Sequence, residues 1–275
     1  MNSVKLTVVI DNSSERLDAP GEHGLCLHLQ SVGQIMLFDA GKSDLVLDNL
    51  DALGLAHIAP EWIALSHGHY DHTTGVPVLL ARYPRAKLHF HPKLLEPKWI
   101  LDTGDQWRYG GLPSAFLELD PSYLQPHRCC MELIPGVYAS GSVAGDDAQR
   151  FDRTRFFRNP SGHSCVDAFP DEQILLVQTE KGISIISGCM HTGIEATIKK
   201  ARDRFPHEPF FALIGGLHLE GKSHEEFGSI LKLIQDAGFL TVMPLHCTGK
   251  GFTDYLADHA SELWRPGSVG ESIEL

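Results

Sequence analysis

Residues 66 to 75 read Ser-His-Gly-His-Tyr-Asp-His-Thr-Thr-Gly, and no other stretch constrains the chain so tightly. His67, His69 and His72 with the carboxylate of Asp71 form a density of nitrogen and oxygen donors that packing does not require and that borderline metals favour. The apolar run Trp62-Ile63-Ala64-Leu65 reads as a buried strand ending where the histidines begin. With strand geometry carried forward, His67 and His69 lie two apart on one face and can clasp one ion. Asp71 and His72 follow once the chain has begun to turn, where they can face a second ion, and Gly75 loosens the backbone before a helix. A surface turn that merely happens to carry histidines is the competing reading, and the crowding argues against it.

Composition narrows the class. At 275 residues with 43% hydrophobic content, the chain is long enough to bury a substantial core. No run approaches the roughly 18 apolar residues of a membrane span, and Met1 to Lys5 lacks a signal-peptide pattern, so a cytoplasmic location without membrane association is expected. The six cysteines, Cys26, Cys129, Cys130, Cys165, Cys189 and Cys247, form no Cys-x-x-Cys pair, which fits a reducing compartment. A formal net charge of -12 argues against a general nucleic-acid surface.

Strand-like runs at Leu6 to Ile10, Leu25 to Leu29 and Ile35 to Phe38 predict an early antiparallel sheet. Leucines 45, 47, 50 and 53 are spaced for one face of a helix over Ser43 to Leu53, with Gly54 to end it. A helix from Gly75 to Arg82 stops before Pro84, and Lys87 to Phe90 returns as a strand. The second half carries a hairpin, Ile174 to Thr179 and Ile183 to Ser187, joined by Glu180-Lys181-Gly182. Helices over Ile194 to Arg204 and Glu225 to Ala237 then alternate with strands at Phe210 to Ile214 and Leu240 to Met243. Two halves of β then α invite an α/β fold in four layers, αββα, as one domain over residues 1–275. Between about 93 and 159, Pro97, Pro113, Pro121, Pro126 and Pro135 interrupt the pattern while Trp99, Trp107, Tyr109, Phe116, Tyr123, Phe156 and Phe157 keep it apolar. This segment is expected to be a lid or insertion, or a contact in a homodimer.

The motif His-x-His-x-Asp-His followed by Gly75, with a preceding strand ending Phe38-Asp39-Ala40-Gly41, resembles the metallo-β-lactamase superfamily. The blocks Gly188-Cys189-Met190-His191, Gly215-Gly216-Leu217-His218 and His246-Cys247-Thr248-Gly249 are similar to one branch of it, hydrolase-like proteins often labelled dihydropterin-ribofuranosyl-aminobenzene phosphate synthases. The resemblance covers nearly the whole chain and implies the same αββα sandwich and a metal centre holding one or two Zn2+ ions, with Mn2+ or Fe2+ as alternatives.

The resemblance also implies ligands at strand ends. His191 follows the strand ending at Ser187-Gly188, and His246 follows Val242 to Leu245. His67, His69 and His191 would form one site; Asp71, His72 and His246 would form the other. The broader superfamily pattern makes His163, in Ser161-Gly162-His163-Ser164, a rival to His191. It also expects an aspartate where Cys189 stands, leaving Cys189 either a thiolate ligand or a small buried core residue. Asp39 is expected to accept a hydrogen bond from a ligand histidine and fix its tautomer. The other histidines, His23 and His28 among them, are read as surface or packing residues, with only His91 near the pocket rim.

The expected chemistry is hydrolysis by a metal-bound hydroxide. Asp71 would bind metal and steer the nucleophile, and His218, after two glycines, would stabilise the transition state or protonate the leaving group. Arg150, Arg153, Arg155 and Arg158, in an otherwise acidic chain, suggest a small anionic substrate. Phe151, Phe156 and Phe157 suit a ring. Arg155, Arg158 and Phe157 are therefore the candidate substrate contacts, and a phosphoester or cyclic phosphodiester is the first expectation. A lactone or carboxylic ester is the second. A mononuclear iron protein with oxygen or sulfur chemistry is an alternative from another class.

Overall fold

The computed structural model of the chain describes residues 3–144, 155–160 and 165–275. In the first half, strands β1 (Val4–Ile10), β2 (Cys26–Ser31), β3 (Gln34–Phe38), β4 (Trp62–Ala64) and β5 (Lys87–Phe90) are interleaved with helices α1 (Leu45–Ala52), α2 (Tyr70–Thr73) and α3 (Val76–Arg82). There follow β6 (Trp99–Asp102), β7 (Gln106–Tyr109), α4 (Ser114–Leu117), β8 (Leu124–Pro126), β9 (Met131–Ile134), β10 (Val137–Ala139) and β11 (Phe156–Phe157). The second half runs β12 (Leu175–Thr179), β13 (Gly182–Ser187), α5 (Ile194–Arg204), β14 (Phe210–Gly215), α6 (His224–Ala237), β15 (Thr241–Pro244), α7 (Gly249–His259) and β16 (Ser272–Glu274).

The period-2 alternation of these strands builds the layers. Leu27, Leu29, Met36 and Phe38 point into one core shared with Leu175, Val177, Ala212, Ile214 and Met243 from the facing sheet. The intervening residues point outward: Leu37 and Ile63 meet α1 and α3, while Leu176, Leu213 and Val242 meet α5, α6 and α7. Each sheet thus buries both faces, and the result is a four-layer αββα sandwich. One sheet has the order β16-β1-β2-β3-β4-β5-β8, the other β15-β14-β13-β12-β10-β9. The early antiparallel sheet is present as β1-β2-β3 and continues in parallel through β4, β5 and β8.

The proline-rich stretch divides. Strands β8, β9 and β10 belong to the two sheets of the sandwich, whereas β6, β7 and β11 form a separate three-stranded sheet. The strands β6 to β11 and β16, with their pairings, are not apparent from sequence, because segments of two to four residues carry too little periodicity to read. Helix α7 was also unread. Helix α6 begins at His224 because Ser223 and Glu226 form a reciprocal capping box before it.

Gly75 serves closeness rather than looseness. Its φ is an ordinary helical -74°, but a Cβ there would lie 2.0 Å from the Ala40 carbonyl oxygen, so only glycine lets α3 start against the end of β3. This seats the histidine loop on the strand carrying Asp39.

Candidate metal centre

Strand β3 is followed directly by Asp39, fully buried and at φ 62°. Its Oδ1 accepts the Ser66 backbone N–H at 2.7 Å, and its Oδ2 accepts from Ser66 Oγ at 2.8 Å and from His72 Nδ1 at 2.7 Å. A carboxylate oxygen accepts, so His72 Nδ1 is the donor in this pair and Nε2 is turned to the centre. The expected role of Asp39 as the residue that orients a ligand histidine falls on His72.

The loop between His67 and His69 is pinned from below. The Gly68 N–H donates to Asp171 Oδ2 at 2.8 Å, and the buried ammonium of Lys98 donates to Asp171 Oδ1 and Asp167 Oδ2, each at 2.8 Å. With that support His67 Nε2 and His69 Nδ1 lie 3.0 Å apart. Strand β13 brings the next donors. A Cβ on Gly188 would fall 2.1 Å from Ser66 Oγ, so glycine allows this strand end to press on the histidine loop. Glu172 then accepts the backbone N–H groups of His191 and Thr192, both at 2.7 Å, and Phe169 stacks on the His191 ring with centroids 3.9 Å apart. His191 lies 4.9 Å, ring to ring, from both His67 and His69.

The second group gathers around Asp71. Its Oδ2 is 3.4 Å from His246 Nε2, 3.9 Å from His72 Nε2 and 3.1 Å from His23 Nε2. His246 adopts φ 49°, held by its N–H donating to Asp11 Oδ1 at 2.6 Å and by Nδ1 lying 2.8 Å from Asn12 Oδ1. Asp11, Asn12 and His23 carry no motif in the sequence; His23 is a surface residue, as expected, and also contacts Asp71. The available signal was position: Asp11-Asn12 follow β1 as Asp39 follows β3.

Cys189 lies between the groups. Its Sγ is 3.2 Å from His72 Nε2, and its sulfur belongs to three donor sets whose atoms all lie within 4.8 Å: with His67 and His191, with His72 and His246, and with His218 and Cys247. His163, together with Arg150, Phe151 and Arg153, lies outside the described residues.

Electrostatics follow from burial. Desolvation holds His67, His69 and His191 well below the usual imidazole range, so they are neutral and each keeps one nitrogen lone pair. Burial opposes ionisation of Asp71, but His72, His23 and His246 outweigh it and keep the carboxyl well below the ordinary carboxylate range. Burial would also lower His72, yet Asp39 and Asp71 raise it to about 9. These residues fit a metal. His69 Nε2 and His191 Nε2 are buried with no hydrogen-bond partner, a costly condition for a polar atom that an ion beside His191 Nε2 would relieve. The nitrogen, oxygen and sulfur donors are those of zinc and similar borderline ions.

Beside the first group a cleft of about 1060 Å³ opens between the sandwich and helices α5 and α6. Its wall includes His191, His218, Phe156, Phe169, Lys200 and Lys222. His218 sits at φ 50° with its ring 4.3 Å from that of His191. Burial would lower its pKa, but Cys247 and Glu172 raise it above the usual imidazole range. Of the expected substrate contacts, Arg155 stands beside the cleft, its guanidinium 5.8 Å from the Phe156 ring and its charge acting on His218, while Arg158 and Phe157 are not in the wall. Arg155 pairs with Asp102 at 3.6 Å and Arg158 with Glu96 at 3.5 Å, both exposed. Phe157 is buried against Trp107. Strand alternation sends Phe156, not Phe157, to the cleft, and lysines rather than these arginines line it among the described residues. His91 is buried beside the Lys93 N–H and is not in that wall.

A family model described as the metallo-beta-lactamase superfamily matches residues 21–147. A Methanocaldococcus jannaschii protein named 7,8-dihydropterin-6-methyl-4-(beta-D-ribofuranosyl)-aminobenzene-5'-phosphate synthase is 27% identical over 241 residues, covering 83% of this chain and 81% of its own. A hydroxyacylglutathione hydrolase of Aeromonas hydrophila is 41% identical over 98 residues, 34% of this chain and 36% of its own. A crystal structure of a metal-dependent hydrolase of the beta-lactamase superfamily superposes with a TM-score of 0.81 at 28% identity, covering 99% of each chain.

Proposed function

Because this chain belongs to the metallo-β-lactamase superfamily, we propose that it is a metal-dependent hydrolase of small anionic molecules, most simply of a phosphoester or cyclic phosphodiester. The observation that carries the reading is the convergence of buried donors from separate segments: His67, His69 and His191 on one side, Asp71, His72 and His246 on the other. These six residues would hold one or two divalent ions, with Zn2+ preferred and Mn2+ or Fe2+ as alternatives. Such an ion, when bound, supplies a Lewis acid and makes water ionisable near neutral pH.

The protein's own groups do the rest. Asp71, an anion at neutral pH, accepts from His23 and orients the attacking water. His218 lines the cleft and is held protonated by the neighbouring Cys247 and Glu172, the state in which an imidazole delivers a proton to a leaving group. Phe156, beside His218, would meet a ring, and Lys200 would attract a negative group, while Lys222 is already paired with Glu226 at 2.9 Å. The name of the archaeal relative carries a 5'-phosphate and an aminobenzene, which agrees with that lining. The three-stranded sheet delivers Phe156 to the cleft and acts as its lid.

A second reading, attack on an ester or lactone carbonyl, is favoured by the 98 residues shared with the hydroxyacylglutathione hydrolase. A panel of phosphodiesters, phosphomonoesters, lactones and esters separates the two. We expect phosphodiester turnover that chelator abolishes and Zn2+ or Mn2+ restores, and a kcat about 10²–10⁴-fold lower in His218→Gln. Turnover confined to lactones or esters would select the second reading. One iron per chain with no turnover of any member would refute hydrolysis.

A further inference from the structure

The hydrolytic reading uses Cys247 only as a neighbour that holds a proton on His218, and it does not use the approach of two sulfurs to that imidazole. Cys189 follows β13, His218 follows β14 and Cys247 follows β15, so three adjacent parallel strands deliver them to one edge of the sheet. Their donor atoms all lie within 4.8 Å of one another. Both cysteines are buried, at 3% and 9% exposure.

The surrounding backbone is built to keep them there. A Cβ on Gly216 would lie 2.7 Å from Cys247 Sγ and 3.1 Å from Cys189 Cα, so glycine leaves the space the sulfur occupies. The Gly216 N–H donates to Gly188 O at 3.1 Å, tying the His218 segment to the Cys189 segment. Thr248 Oγ1 accepts the Leu217 N–H at 3.0 Å and donates to Gly215 O at 3.2 Å, tying it to the Cys247 segment. Within this frame His218 takes a positive φ of 50°, which a non-glycine residue adopts only when its surroundings impose it. Its Nδ1 is buried without a hydrogen-bond partner.

The two thiols meet each other and Cys247 also meets the His218 ring, an approach that filling the core does not require. Two sulfurs and one nitrogen are the donor set that soft and borderline ions select. We propose that Cys189, His218 and Cys247 form a thiolate-rich metal site, suited to Zn(II) or Cu(I), adjoining the histidine centre and sharing Cys189 with it. This site is assigned from its own donors, whether or not the chain is a hydrolase; an ion bound here takes the lone pair of His218, so its occupancy and the proton-donor role of His218 exclude each other.

The full-length protein loaded with Co(II) tests it, since thiolate ligation gives a near-ultraviolet charge-transfer band. Cys247→Ser and Cys247→Ala should each lower that band to about half, because two thiolate ligands become one, and should lower the Co(II) bound per chain while far-UV circular dichroism is unchanged. An undiminished band with undiminished stoichiometry in either folded variant overturns the proposal. Should neither variant fold, alkylation of the wild-type chain in moderate urea decides. Zn(II) loading should protect Cys189 and Cys247 together, and beyond the protection of buried Cys26, which reports general unfolding; protection of Cys189 alone overturns the site. Ester turnover lost in His67→Ala is a separate observable, so the hydrolase reading and this site can fail independently.

Discussion

Asp39 Oδ2 accepts a hydrogen bond from His72 Nδ1 at 2.7 Å, with both side chains wholly buried. One carboxylate thereby fixes the tautomer of a proposed ligand and, through Ser66, the start of the histidine loop. Asp39→Asn keeps the shape but replaces the anion with an amide. Zn2+ titration against a competing chelator should show affinity about 10–100-fold weaker. Unchanged affinity would mean that Asp39 only packs.

The same pair sets a pH dependence for metal uptake. Without an ion, His72 is raised to about 9 by Asp39 and Asp71, so at neutral pH Nε2 carries a proton that must leave before it can bind metal. Below about pH 9, affinity at the Asp71, His72 and His246 group should fall about tenfold per pH unit for each proton released. Calorimetry in buffers of different ionisation enthalpy counts those protons; a value of zero at pH 7 contradicts the protonated His72.

Stability should have its own acid limb, away from the metal centre. Burial lowers His28 from 6.5 to about 4, and its Nε2 has no partner. The unfolded chain therefore takes up a proton that the fold refuses between those values. This contribution is complete above about pH 6.5 and is lost as pH falls toward 4, at a slope of about 1.4 kcal/mol per pH unit. Urea unfolding with chelator present at pH 7 and pH 5 should show a smaller pH dependence in His28→Leu than in the wild type.

Lys98 pairs with Asp167 and Asp171 at 2% exposure. Lys98→Met would strand two buried carboxyl groups and release the anchor of Gly68. The expected loss is about 3–5 kcal/mol, seen as a lower urea midpoint. A variant as stable as wild type would show that this network does not support the loop.

Much of this centre was legible because it is local. The spacing of His67, His69, Asp71 and His72 announces a metal loop on its own, and the αββα layers follow from alternation in β2, β3, β12 and β14. The blocks around His191, His218 and His246 were found by likeness. The supports were harder to read, because Glu172, Lys98, Asp171 and Asn12 act through contacts distant in sequence and carry no motif. Arg158 was hard to read for the same reason: a cluster of like charges looks like an anion site until Glu96, about sixty residues earlier, is seen beside it, whereas Arg155, paired with Asp102, still lies over Phe156 at the cleft.

The most direct measurement is anomalous diffraction at the zinc edge from crystals of the zinc-loaded protein. The account predicts an ion bound by His67, His69 and His191 at about 2.0–2.1 Å from each nitrogen. An ion held by His67, His69 and His163, with His191 turned away, would contradict it.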